Sequence, residues 1–102
     1  MKQDELEKVI NKAKTTLRIS AEEFHEEIGD LIEAAVDTMK TRGVTVGDEL
    51  RPMELRAVLT YVRLNFGQPE DQVRLKRSWD EQLAQLMTTT GYTDWGDDNG
   101  QI

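Results

Sequence analysis

Apolar residues recur three and four positions apart through four stretches of the chain, the period that lines up one side of an α-helix. In the first stretch Leu6, Val9, Ile10, Ala13 and Leu17 share a side, which predicts a helix over Gln3–Leu17 with Lys8, Lys12 and Lys14 on the other. In the second, Phe24, Ile28, Leu31, Ile32, Ala35 and Met39 form the stripe. Ser20 and Glu23 stand in the capping-box pattern, hydroxyl to the third helical N–H and carboxylate reaching back, so this helix is expected to start at Ala21. Ile19 and Phe24 are placed to staple its start. Running to about Arg42, it is expected to be the longest element, roughly 33 Å at 1.5 Å per residue.

The third stretch, Pro52–Phe66, is apolar almost all round: Leu55, Leu59, Val62 and Phe66 make one stripe, and Ala57, Tyr61 and Leu64 cover the opposite side. A helix of that kind is buried. Only Arg56, Thr60 and Arg63 interrupt it, so it is either the central helix of the subunit or has one face in the core and the other against another subunit, and the second is preferred. The fourth stretch, Glu70–Met87, turns Leu75, Trp79, Leu83 and Leu86 inward and Arg74, Arg77, Glu81 and Gln85 outward, with Glu70/Arg74 and Arg77/Glu81 as expected ion pairs. Pro52 and Pro69 sit just inside the starts of these two helices, where a missing N–H costs nothing. Gly43 and Gly67 follow helix ends, the usual place of a left-handed cap. No alternating run longer than Val44-Thr45-Val46 competes with this reading. The expected fold is all-α, a compact bundle of about four helices over residues 1–87, followed by a polar tail over 88–102 that composition marks as flexible until bound.

With 102 residues, the chain has room for one core and one domain. Thirteen Lys and Arg against 20 Asp and Glu leave a net charge of −7, which argues against a surface built to neutralise nucleic-acid phosphates. Cysteine is absent, so neither disulfides nor a thiolate metal site hold the fold. The opening MKQDELEKVI lacks the apolar core of a signal peptide, and no apolar run approaches the roughly 18 residues of a membrane span. A soluble protein folding in the cytoplasm is expected.

Candidate chemistry is sparse. Glu22 and His25 have the Glu-x-x-His spacing of di-iron bundles, but such centres need a second copy of that motif and two further glutamates, and His25 is the only histidine. It is read as a surface histidine beside acidic neighbours. Asp94 to Gly100 resembles a calcium loop only superficially, since the glutamate that closes such a loop at its twelfth position is missing. No phosphate-cradling loop, zinc-protease helix or nucleophile elbow occurs. No catalytic, cofactor-binding or metal-binding residue is assigned, and an enzyme is not expected.

Charge distribution is more informative. Glu22, Glu26, Asp30, Glu33 and Asp37 fall along one side of the second helix, and each like-charge neighbour costs about 0.2–0.5 kcal/mol in an isolated helix. The face is either a solubilising surface or a contact for a partner. Residues 51–77 hold six basic against three acidic residues. An acidic face and a basic face on one chain suit head-to-tail contact between identical copies, which closes into a ring when the rotation allows. Arg56 and Arg63 of one copy are then expected against the acidic stripe of the next. A rival reading takes the third helix, the turn Gly67-Gln68-Pro69 and the fourth helix as a helix-turn-helix offering Arg74, Lys76 and Arg77 to DNA. Glu70, Asp71, Asp80 and Glu81 on the would-be reading helix stand against it.

The string from Ala57 to Gly67 (AVLTYVRLNFG), followed by Ser78-Trp79-Asp80-Glu81-Gln82-Leu83 and then Thr90-Gly91-Tyr92-Thr93, resembles the small head-tail connector proteins of tailed phages and prophages, often labelled putative DNA packaging proteins. Thr16-Leu17-Arg18-Ile19, leading into a long helix with Ile32-Glu33-Ala34-Ala35, is similar as well, so the likeness spans residues 6–95. The resemblance implies a non-catalytic helical subunit of the virion, made in the cytoplasm of a bacterial host. Such subunits form a homo-oligomeric ring below the portal protein, extend the DNA channel and carry the next connector, stopper or tail protein. DNA would pass without specific binding, as an acidic wall permits. Loops and the tail would reach the portal or the next ring, with Tyr92, Asp94 and Trp95 as candidate contacts. Aromatics on a polar tail serve as interface anchors or fold back on their own helix, and both readings stay open.

Overall fold

A computed structural model describes residues 1–89 and 91. Four helices follow one another, α1 (Gln3–Leu17), α2 (His25–Thr41), α3 (Pro52–Asn65) and α4 (Gln72–Thr88), with a 3₁₀ turn over Glu22–Phe24 before α2. No strand element occurs among the described residues, and the fold is all-α as the periodicity predicts. No helix among them is long and apolar enough to cross a membrane.

The core is built from the predicted stripes. Val9, Ile10 and Ala13 of α1 meet Ile28, Ile32, Ala35 and Met39 of α2, while Leu75, Trp79, Leu83 and Leu86 close it from α4. α3 packs against all three other helices. Ala57, Val58, Val62 and Leu64 are buried there, Tyr61 meets Trp79 edge-on at 4.9 Å between ring centres, and Phe66 meets Phe24 at 5.3 Å. Leu55, Leu59, Tyr61 and Phe66 are half-buried against this core, and Leu59 borders an open groove. α3 is the central helix of the subunit, and its outward side, with exposed Arg56 and half-buried Leu59, Thr60 and Arg63, is the part that another subunit could meet. At the α1–α2 crossing a Cβ on Gly29 would stand 3.2 Å from Ile10 Cδ1, so the missing side chain lets the two helices approach.

Helix ends show where local sequence decided and where it did not. Gly43 has φ +91°, and its N–H and that of Val44 donate to the Lys40 and Met39 carbonyls at 3.0 Å each, a Schellman cap with Val44 buried beside Met39. Gly67 has φ +68° after α3. The same motif ends α1, where Ile19 N–H donates to Lys14 O at 2.9 Å and Arg18 N–H to Thr15 O at 3.1 Å, but there the left-handed residue is Arg18, at φ +60°.

Ser20 and Glu23 do not form the expected cap. The segment enters through the 3₁₀ turn with no side-chain bond at either flank, α2 starts four residues late at His25, and it is no longer than α4, with 17 residues each. Glu22 instead pairs with Lys14 at 3.3 Å across the turn, and Phe24 packs on Phe66 rather than stapling with Ile19. Lys14, expected on the solvent side of α1, is buried by that pairing. The reaching-back carboxylate occurs elsewhere: Glu54, third in α3, accepts the Arg51 N–H at 2.8 Å. α4 begins at Gln72, which leaves Pro69 in the connection rather than inside the helix.

Candidate functional site

α2 directs Ile28, Ile32, Ala35, Val36 and Met39 inward, which fixes its opposite side outward. Glu22, Glu26, Asp30, Glu33 and Asp37 are all exposed there, as the spacing predicts. Glu22 is engaged by Lys14 and by His25 Nδ1, the latter at 3.6 Å. The other four carboxylates have no cationic partner within 4.0 Å among the described residues. Glu26 lies in the first turn, where the helix dipole favours an anion. Asp30, Glu33 and Asp37 receive no such help, so their mutual repulsion stays uncompensated inside the subunit. Glu33 and Asp37 also border a small cleft with Met1 and Leu6 at the start of α1.

The second feature is a basic groove of about 320 Å³ between α3 and α4, reached by the end of α1. Arg56 and Arg63, two turns apart on α3, border it with Arg74 of α4, above Leu59 and Leu75. Thr16, Ser78 and Gln82 complete the lining, and Gln82 Oε1 is buried there without a hydrogen-bond donor. Arg56 is exposed and has no acidic partner among the described residues. Arg63 stands 3.7 Å from Asp71, which also accepts a hydrogen bond from Arg74. That Arg74 bond holds the Asp71 carboxyl below its usual 3.8, with the Arg74 and Arg63 charges acting the same way and loss of solvent contact working against them.

Sequence reasoning found Arg56 and Arg63 but missed Arg74 as a member of this groove and Asp71 as the carboxylate that pairs with two of its arginines. It paired Arg74 with Glu70, four residues away, whereas the structure pairs it with Asp71, three away. The late start of α4 explains this, because Glu70 lies in the turn before the helix. Arg77/Glu81 does not form either, and Lys76 pairs with Asp80 at 3.1 Å instead. Among the described residues, no ion pair within the subunit joins the acidic stripe to Arg56 or Arg63, so both faces remain available.

His25 sits between two carboxylates from different elements, Nε2 at 3.1 Å from Glu7 of α1 and Nδ1 at 3.6 Å from Glu22. The arrangement ties the start of α2 to α1. Among the described residues no three metal-ligating side chains converge. Tyr92, Asp94 and Trp95, the candidate partner contacts in the tail, lie outside the described residues. The position from which that segment departs is described: Arg51 Nη1 donates to the Gly91 carbonyl at 2.7 Å while Nη2 donates to Thr45 O at 2.9 Å and Glu54 Oε2 at 2.8 Å. Compared with protein-family models, with curated proteins and with solved structures, the chain matches none.

Proposed function

We propose that this chain is a non-catalytic assembly subunit of the virion, a head-tail connector that forms a ring below a phage portal and extends the DNA channel. The observation that carries the reading is the pair of separated charge faces: four exposed carboxylates on α2 with no cationic partner among the described residues, and a three-arginine groove between α3 and α4 in which Arg56 has no acidic partner among them. A solubilising surface needs no such segregation. A head-to-tail contact between copies does, because each subunit must offer both halves of one interface. The sequence resemblance supplies the portal, the downstream connector, stopper or tail protein, and the channel. The net charge of −7 fits a wall along which DNA slides, since phosphates bind tightly only where cations release their counterions.

Arg51 adds a physical role for the tail in this reading. Its guanidinium holds the Gly91 carbonyl beside Thr45 O and Glu54, so the described residues end at one defined corner of the bundle. A fixed point of departure suits a tail that reaches a portal.

The test is to mix the purified chain with its cognate portal and inspect the product by negative-stain microscopy. Rings stacked on the portal support the connector. Retention on heparin or DNA at low salt, without portal binding, would instead identify the small DNA-binding regulator. Removing residues 92–102 tests the tail: lost portal binding with unchanged melting supports an anchor, and a large drop in melting temperature supports a segment folded on its own bundle.

A further inference from the structure

Three surfaces outside the core carry unused chemistry: the arginine groove, the His25 site between Glu7 and Glu22, and the exposed Val73 beside Leu64. The groove carries the argument furthest, because the chain itself displays a complementary ligand. Arg56 and Arg63 are seven residues apart on α3, which separates them by about 10.5 Å along the axis at 1.5 Å per residue. Glu26 and Glu33 on α2 have the same separation, and so do Asp30 and Asp37. Two turns of acidic helix therefore match two turns of basic helix in register, carboxylate for guanidinium.

In the subunit two of the groove's three arginines are engaged by a carboxylate of their own chain. Asp71 binds Arg74 and stands 3.7 Å from Arg63, while Arg56 stays open. Asp71 thus engages the same two guanidinium groups that a second chain's carboxylate would have to bind. It competes for two of the groove's three arginines.

We propose that the Arg56–Arg63–Arg74 groove is the receptor for the Glu26–Glu33 face of α2 on a second copy, and that Asp71 acts as an internal competitor that weakens this contact until a template supplies local concentration. The inference deepens the assembly role proposed above and rests on it. It accounts for the buried, unpaired Gln82 Oε1 only as a neighbour of the arginines, and needs no contribution from it.

Sedimentation of the full chain at low salt, up to millimolar concentration, tests the idea. Wild type is expected to self-associate weakly and to lose that association at high salt. Asp71→Asn should tighten association on the order of twofold to fivefold, the range of one exposed charge pair released from competition. Arg56→Glu/Arg63→Glu and Glu26→Arg/Glu33→Arg should each remain monomeric, with unchanged helical circular dichroism, and should associate when mixed, because reversed groove and reversed face then complement each other. Monomers throughout, or doubly reversed variants that ignore each other, would overturn the proposal. So would heparin retention that vanishes in the Arg56/Arg63 variant while self-association persists, which would assign the groove to nucleic acid. If portal-bound rings form normally with both reversed variants, the connector reading survives and this contact is wrong. If neither wild type nor variant engages the portal yet the swapped pair associates, the contact survives and the connector reading fails.

Discussion

Both carboxylate oxygens of the fully buried Glu54 are held by one residue, Arg51, through its backbone N–H and its guanidinium, each at 2.8 Å. Glu54 lies on the first turn of α3, where its charge also meets the positive end of the helix dipole. The same guanidinium bonds the Thr45 and Gly91 carbonyls. One buried acid therefore organises the α2–α3 connection and the point where the tail leaves. Replacing Glu54 by Ala removes the acceptor for the Arg51 N–H and the anionic partner of its guanidinium, which keeps the Thr45 and Gly91 carbonyls, and should cost about 3 kcal/mol in urea unfolding. Glu54→Gln keeps an acceptor for the N–H and should cost less than half as much.

A second long-range tie runs from Glu5 to the backbone of Leu50, whose N–H donates to the carboxylate at 2.7 Å across 45 residues of sequence. Glu5 is buried, with Lys8 as its cationic neighbour at 3.7 Å. Glu5→Ala leaves the Leu50 N–H unsatisfied and should destabilise by roughly 1–2 kcal/mol. Hydrogen exchange is the sharper readout: the Leu50 amide should lose protection in the variant while core amides of α2 keep theirs.

Arg18 closes the α1 cap in a backbone conformation that costs an ordinary residue about 1 kcal/mol and glycine almost nothing. Arg18→Gly should therefore raise stability by roughly 0.5–1 kcal/mol, an unusual sign for a glycine substitution. A melting temperature that falls instead would mean that the Arg18 side chain contributes more than its backbone strain removes. Gly43→Ala should go the other way, since that cap already uses glycine at φ +91°.

The acid limb of the stability curve tests the Asp71 pairing. Its hydrogen bond from Arg74 lowers the folded value below 3.8, so its contribution is fully present above the unfolded carboxylate value and is lost as the pH falls through the lower folded one. The difference in stability between wild type and Asp71→Asn should thus be constant from neutral pH to about pH 4 and shrink below it. A difference that grows on acidification would contradict the ion pair.

The helices and their faces were legible because they depend on local information. A period of 3.6 in apolar residues shows which side of each segment faces inward, and Leu75, Trp79, Leu83 and Leu86 are buried as that period requires. α1 begins and ends where its pattern does. The exposed acidic stripe of α2 follows from the same geometry, since the side opposite a buried stripe meets water.

Other features depended on which helix lies beside which. Glu5, Lys14 and Glu54 are charged residues that composition assigns to solvent, yet each is buried because packing brings Leu50, Glu22 or Arg51 to it. Ser20 and Glu23 carry a sound capping pattern that lost to the Lys14–Glu22 pair and the Phe24–Phe66 contact. α3 is apolar on two sides, and periodicity cannot say whether a second side meets a neighbouring helix or a neighbouring chain. Its contacts with all three other helices place it at the centre of the subunit. The amino-acid sequence by itself determined the four helices, their inward stripes and the sign of charge on each outer face, because those depend on residues a turn or two apart. Only the tertiary structure brought Arg74 beside Arg56 and Arg63 and set Asp71 among them, because a groove between helices is a property of their packing and not of any one segment.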